Sequence, residues 1–282
     1  MPGMKWTFMS LQILDEVRSG KMTFAEMFPR ARAAGFVAYD ASDMDAEFAD
    51  REEVLRLCRE NGLKIADYIH WIHMATPDDK ALEAAIESGK QAVHTALAHG
   101  TKMLMIVEQV NRHDLEKLTR QEASRRMGCA LREIVNYADK FGVTVMVEDF
   151  PVPALPMSTS DEMKALLDAA PGLQLILDTG NMLAQKEDPL HFYQALKGHY
   201  AHVHLKDIEY PENATTGDID CDGRHIWNAQ HGEGVVNFAA LLPDLKQGGF
   251  DGYVTVEYGP HEGTKDHFEK MAESIRYLEG LL

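Results

Sequence analysis

The run Val-Thr-Val-Met-Val-Glu-Asp-Phe at 143–150 ends in acid, and its alternation decides where the first of its two carboxylates points. With the side-chain period of a strand, Val143, Val145 and Val147 share one face, while Thr144, Met146 and Glu148 share the other. One face is aliphatic. The other turns polar toward its C-terminal end and finishes in a carboxylate. Three later runs repeat the design. Leu173, Leu175 and Leu177 oppose Gln174, Ile176 and Asp178; His202 and His204 share a face of Tyr200–His204; Val254 and Val256 oppose Thr255 and Glu257. Four strand-like runs therefore each end in a side chain able to ligate metal: Glu148, Asp178, His204 and Glu257.

Three carboxylates and one imidazole form a mostly hard donor set, suited to one divalent ion. Mn²⁺, Mg²⁺ or Co²⁺ fits best and Zn²⁺ is admitted. Neighbouring strands lie about 4.8 Å apart, so adjacent strand ends can converge on a single ion. A lone acid at the end of a buried strand also serves as a helix cap or a loop hydrogen-bonder. Asp178, ahead of Thr179-Gly180-Asn181, fits that simpler role too. Three carboxylates gathered without a cation would repel one another, however, which favours the metal reading. His202, two residues deeper than His204, reads as a core histidine hydrogen-bonded within the fold. Asp149 and Asp207 fall on the opposite faces and read as loop anchors.

The rest of the chain is what brings these ends together. Strand-like runs at Trp6–Ser10, Phe36–Tyr39, Leu63–Ile69 and Met103–Val107 precede the four already described. Helical segments separate them. Thr23 with Glu26, Asp50 with Glu53 and Thr159 with Glu162 have the spacing of helix N-caps. Thr76-Pro77-Asp78-Asp79 predicts a helix with proline at its first position, and Asp188-Pro189 opens another. Asn237 precedes a helix over Phe238–Leu245, and the last helix is expected from about Thr264 to Tyr277. Eight strand–helix units in succession imply parallel strands with helical crossovers. The predicted fold class is α/β, a single (β/α)8 TIM barrel with an outer ring of helices, spanning 1–282 as one domain. Sites on such barrels lie at the C-terminal mouth, where all four ligand candidates end. Residues 208–234, rich in Gly, Asp and Asn, read as one long loop over that mouth.

Composition excludes several classes. The chain has 28 basic and 45 acidic residues in 282, a formal charge of −17, which opposes nucleic acid and anionic membrane surfaces. Cys58, Cys129 and Cys221 are scattered and form no C-x-x-C pair, so neither a thiolate metal site nor a disulfide framework is indicated. The first residues show no apolar signal core, and no stretch approaches the roughly 18 apolar residues of a spanning helix. A cytoplasmic enzyme with reduced thiols is the expectation.

The segments that carry the chemistry also carry a resemblance. Val-Glu-Asp-Phe at 147–150, Leu-Asp-Thr-Gly-Asn at 177–181, His-Val-His-Leu-Lys-Asp at 202–207, Gly-Glu-Gly at 232–234 and Gly-Tyr-Val-Thr-Val-Glu at 252–257 occur in a telling order and spacing. Together they resemble the sugar-phosphate isomerase/epimerase group of the xylose-isomerase-like TIM barrels. The resemblance implies a divalent metal held by Glu148, Asp178, His204 and Glu257, with Glu148 and Glu257 doubling as the two proton-transfer groups. The ketose 3-epimerases of that group usually carry a histidine where this chain has Asn181, a departure that bears on substrate grip. By the same resemblance Arg224, in the segment after the seventh strand, is the candidate for holding substrate oxygens. Trp71 and His73, just after the third strand, are candidates for an apolar wall and a polar contact. Lys206 and His231 are weaker candidates.

The reading that follows is a metal-dependent isomerase or epimerase acting on a ketose or keto-polyol, through an enediolate and by proton transfer. An inosose-type dehydratase on the same metal site is the alternative. A repair endonuclease of the AP-endonuclease kind would need more histidines at the early strand ends, which His70 and His73 match only in part, and basic loops. A non-catalytic sugar-binding barrel is the remaining reading. The expected partner is a small sugar or keto-polyol, with no nucleic acid and no membrane, and a homo-oligomer is anticipated.

Overall fold

The structure, a computed structural model, describes residues 4–258 and 266–282. In chain order the strands are β1 (Lys5–Met9), β2 (Ala38–Ser42), β3 (Lys64–Ile72), β4 (Met103–Glu108), β5 (Thr144–Glu148), β6 (Gln174–Asp178), β7 (Tyr200–Leu205), β8 (Asp207–Glu209), β9 (Asp218–Ile219), β10 (His225–Ala229) and β11 (Tyr253–Val256). Strands β1 to β7 follow one another round a closed parallel barrel, and β11 completes it between β7 and β1. Outside run α1 (Leu14–Arg18), α2 (Phe24–Ala34), α3 (Arg51–Glu60), α4 (Asp79–Ala98), α5 (Arg112–Leu115), α6 (Arg120–Asp139), α7 (Ser160–Ala169), α8 (Pro189–Ala195), α9 (Phe238–Gln247) and α10 (His267–Glu279). The expected (β/α)8 barrel is the observed one.

Local chemistry sets the helix starts. Thr23 accepts from the Glu26 amide while the Glu26 carboxylate accepts from the Thr23 amide, satisfying two otherwise orphaned donors at the head of α2. Thr119 and Glu122 do the same for α6. Asp50, Thr159, Asp188 and Asn237 cap α3, α7, α8 and α9. At α4 the expectation needs correcting. Asp78 is the cap, taking the Lys80 and Ala81 amides, so the helix opens at Asp79 and Pro77 lies ahead of the cap. The expected start of the last helix at Thr264 lies outside the described residues; Asp266 caps α10.

The period-two reading sorts the interior correctly. Val145, Val147, Leu175, Leu177, Val254 and Val256 join the large core between barrel and helices. Met146 and Ile176, of opposite parity, pack inside the barrel with Met9, Ile69, Met105 and Val107. Two strands run further than their apolar runs foretold. β2 continues to Ser42, carrying Asp40 inside, and β3 continues to Ile72. Residues 208–234 are also more ordered than one long loop: β8, β10 and β9 pair antiparallel as a separate small sheet. Among the described residues no helix is long and apolar enough to cross a membrane.

Candidate metal centre and its cavity

Four neighbouring strands of the ring, β5, β6, β7 and β11, end in Glu148, Asp178, His204 and Glu257, with Glu257 one residue past its strand. One potential ligand atom from each of these residues lies within 4.8 Å of those of the other three. Glu148, Asp178 and His204 are buried and Glu257 is partly exposed. His204 Nδ1 stands 2.5 Å from Glu148 Oε1 and 3.7 Å from Glu257 Oε2. The shorter contact lacks hydrogen-bond alignment, Glu148 Oε1 and both ring nitrogens of His204 have no hydrogen-bond partner, and Asp178 Oδ2 has only the Lys206 ammonium, 3.1 Å away. Buried polar atoms are normally paired, so unpartnered atoms gathered at the ends of neighbouring strands require an explanation. The four residues could hold a divalent cation, and a set of three carboxylate oxygens and one imidazole nitrogen suits such an ion.

Electrostatics points the same way. Burial opposes a charge on His204, yet Glu148, Glu257 and Asp40 together push the imidazole up to about 10. Burial drives the Asp178 carboxyl up to about 6 against the pull of Lys206. The negative groups thus draw positive charge from whatever is at hand, a proton included. Asp178 has its other oxygen fixed: Oδ1 accepts from the Gly180 and Asn181 amides at 2.7 Å each.

A cavity of about 400 Å³ opens over the centre, within the size of small-molecule sites. Glu148, His204, Glu257, Asn181 and Lys206 form one side of it, and Met9, Ile69, Trp71, Met105, Val107 and Phe150 lie among its apolar walls. Trp71 and Asn181, both candidates in the sequence, thus line the cavity. His73 and Arg224 do not line this cavity. His73 is held between Glu108 Oε1 at 2.9 Å and Asp114 Oδ2 at 3.0 Å. Arg224 is exposed, lies 4.2 Å over the Tyr210 ring, and borders a separate surface hollow with Pro211 and Asn213. His70, which shares its ring nitrogens between Asp43 and Ser88, is likewise engaged elsewhere. His231 is a packing residue, bonded to the Leu205 carbonyl and Ser274 Oγ.

Asp207 anchors a loop as expected: its carboxylate takes the amides of Ile208, Gly232, Gly234 and Val236, which explains the Gly-Glu-Gly segment. Asp149 differs. Its backbone carbonyl, not its carboxyl, holds Asn181 Nδ2 at 2.8 Å. His202 is the core histidine foreseen. The Thr255 hydroxyl donates to Asp40 Oδ2, so it accepts from His202 Nε2–H at 2.7 Å, which fixes the tautomer. Sequence reasoning missed Asp40 and Asp67, both wholly buried inside the barrel beneath the centre. Their signal was available: each is an acid in mid-strand at an inward-facing position, Asp40 on the face opposite Tyr39 and Ala41 and Asp67 on the face of Ile69.

Comparison with known proteins agrees with this architecture. The model of the family described as "Xylose isomerase-like TIM barrel" matches residues 14–281. An L-ribulose-5-phosphate 3-epimerase of Escherichia coli is 26% identical over 241 residues, 81% of this chain and 80% of that protein. An inosose dehydratase of Lacticaseibacillus casei is 19% identical over 235 residues, covering 78% and 77%. Among solved structures, the IOLI protein with a bound zinc atom superposes with a TM-score of 0.75 at 18% identity, covering 98% of this chain and 96% of that one.

Proposed function

The chain belongs to the xylose isomerase-like TIM barrel family, and from that premise we propose that it is a divalent-metal-dependent isomerase or epimerase of a ketose or keto-polyol. The observation that carries the reading is the convergence of Glu148, Asp178, His204 and Glu257 within 4.8 Å, three of them lining a cavity of sugar size. These four residues would hold one ion, with Mn²⁺, Mg²⁺ or Co²⁺ favoured by the carboxylate-rich set and Zn²⁺ supported by the zinc-bearing structural relative. Such an ion supplies Lewis acidity, which makes the C–H beside the substrate carbonyl acidic.

The chain's own residues then do the proton work. Glu148 and Glu257 end β5 and β11, with β6 and β7 between them in the ring. In our reading they approach the substrate from different sides. One carboxylate removes the proton on one face of the carbon, and the other returns a proton to the opposite face, through the enediolate. Trp71 and its apolar neighbours exclude water from that carbon and bear on the less polar face of the substrate. Asn181 orients Lys206 and borders the substrate.

The likeness to an inosose dehydratase supports a second reading, in which the same proton abstraction is followed by loss of a hydroxyl. Deuterium uptake from D₂O by a panel of ketoses and inososes, with and without chelator, tests both. Metal-dependent exchange with inversion is the expected result, and exchange with loss of water would select the dehydratase. Chelator-resistant turnover without any solvent exchange would overturn the proton-transfer reading.

A further inference from the structure

Lys206, only a weaker candidate in the sequence, lies within the centre. Its ammonium group lies 2.7 Å from Glu257 Oε1, 2.9 Å from Asn181 Oδ1 and 3.1 Å from Asp178 Oδ2, and the side chain is about nine-tenths buried. Two of the four candidate ligands thus share one lysine. The segment Asp178-Thr179-Gly180-Asn181 is built around it, one residue at a time. Asp178 and Asn181 meet the ammonium. Thr179 Oγ1 donates to the Lys206 carbonyl at 2.7 Å and accepts from its amide at 2.8 Å, which clamps the backbone of the lysine. Gly180 leaves room for the stem: a Cβ there would come within 3.0 Å of Lys206 Cγ and Cδ and 2.8 Å of Ile208 Cγ1. A lysine carried in a cradle of this kind is not a solvated side chain that happens to reach a carboxylate.

Charge says what it is for. Three ligand carboxylates carry one negative charge more than a divalent cation neutralises, in a site where burial makes uncompensated charge costly. We infer that Lys206 is a positioning residue, the fixed countercharge of the centre, which keeps Asp178 and Glu257 assembled before metal arrives and leaves the loaded centre neutral. This rests on the metal reading of the four ligands. It adds that the lysine and the incoming ion compete for the same negative charge, so the lysine lowers metal affinity while raising the stability of the metal-free centre. An ordinary structural lysine would do the opposite on removal, loosening the ligands and weakening the ion.

The experiment is a Mn²⁺ titration of chelator-stripped full-length protein, followed by the electron paramagnetic resonance of free Mn²⁺, for wild type, Lys206→Gln, Lys206→Met and Lys206→Arg. A unit charge a few ångströms from the ion, at an effective dielectric of about 20, changes affinity by at least about tenfold. Lys206→Gln and Lys206→Met are therefore expected to bind Mn²⁺ at least about tenfold more tightly than wild type. Their stripped forms should melt at lower temperature and gain more on metal addition than wild type does. Lys206→Arg, which keeps the charge, should stay close to wild-type affinity. Unchanged or weaker Mn²⁺ binding by the neutral variants would overturn the inference, as would their failure to fold even with Mn²⁺ present. A wild-type protein that took up no divalent ion would instead overturn the metal reading beneath it.

Discussion

Asp40 of β2 is the in-register neighbour of Asp67 of β3, and both carboxyls are shut away from solvent inside the barrel. Their environments differ. Asp40 accepts from the Thr7 and Thr255 hydroxyls at 2.9 and 2.8 Å, whereas no hydroxyl or amide donates to Asp67, whose hydrogen-bonding neighbour is the Asp40 carboxyl itself. Burial, and then the charge of Asp40, holds the Asp67 carboxyl well above its ordinary value of 3.8. An acid with a raised pKa in the folded state destabilises the fold once the pH exceeds the unfolded value. Asp67→Asn removes that penalty while keeping the shape. The variant should be more stable than wild type at pH 7 by at least about 1 kcal/mol. The gain should shrink toward zero as the pH falls below 3.8. Urea unfolding at both pH values checks it, and a destabilised variant at pH 7 would show that the charge on Asp67 is needed.

His73 also favours the fold less as pH rises, but here a stabilising contribution is lost and not a penalty gained. The Glu108 hydrogen bond raises it to about 9 against burial, with Asp114 adding to the effect, from an ordinary value of 6.5. A histidine with a raised folded pKa contributes stability that is complete below pH 6.5 and is lost as pH climbs through about 9. The same pairing lowers Asp114 to about 2, so its own contribution is lost only as pH falls from 3.8 toward that value. Wild type should therefore exceed His73→Gln in melting temperature most clearly near pH 5 to 6, roughly midway between these limits. The two melting curves should approach each other at about pH 9. A difference constant from pH 5 to 9 would mean that His73 acts by packing and not by charge.

The barrel was legible because a period of two is imposed by the backbone. Val145 and Val147 had to face the helices if Met146 and Glu148 faced inward, and the same parity ordered the ends of β6, β7 and β11. The ligand set followed from parity plus position. What stayed hidden were relationships between distant segments. The pinning of His73 by Asp114 depends on the short helix α5, which has no strong apolar period in the sequence. Arg224 was placed by its loop, but that segment folds as the sheet β8–β10–β9 and turns the guanidinium onto Tyr210. Asp40 and Asp67 sit in mid-strand, so strand-end position does not mark them and only inward parity along the whole strand does.

The candidate centre itself gives a direct measurement. Protein purified and dialysed against Mn²⁺ should retain about one ion per chain. His204→Ala removes the one nitrogen donor and should weaken binding by at least about 10², since losing even an outer-shell partner costs up to that much. Elemental analysis and Mn²⁺ titration read this out. Wild-type protein that stays empty after exposure to Mn²⁺, Mg²⁺, Co²⁺ and Zn²⁺ in turn would remove the metal from the proposal.

The two glutamates carry the sharpest expectation. Glu148 is buried and faces His204, while Glu257 is partly exposed and shares its carboxylate between His204 and Lys206. If both ligate and both transfer protons, replacing either with glutamine keeps the size and one oxygen donor but removes the base. Each Glu→Gln variant should remain a folded barrel, bind metal less tightly, and turn over at least about 10² more slowly, the low end for general acid–base catalysis. The two variants should also differ from each other. The glutamate that abstracts the proton in a given direction is needed for any exchange with D₂O, whereas the one that returns it is needed only for inversion. One single variant should therefore retain partial solvent exchange without epimerisation, and running the reaction from the opposite epimer should exchange their roles. Equal wild-type turnover by both variants at full metal loading, on a confirmed substrate, would place the acid–base pair elsewhere in the cavity.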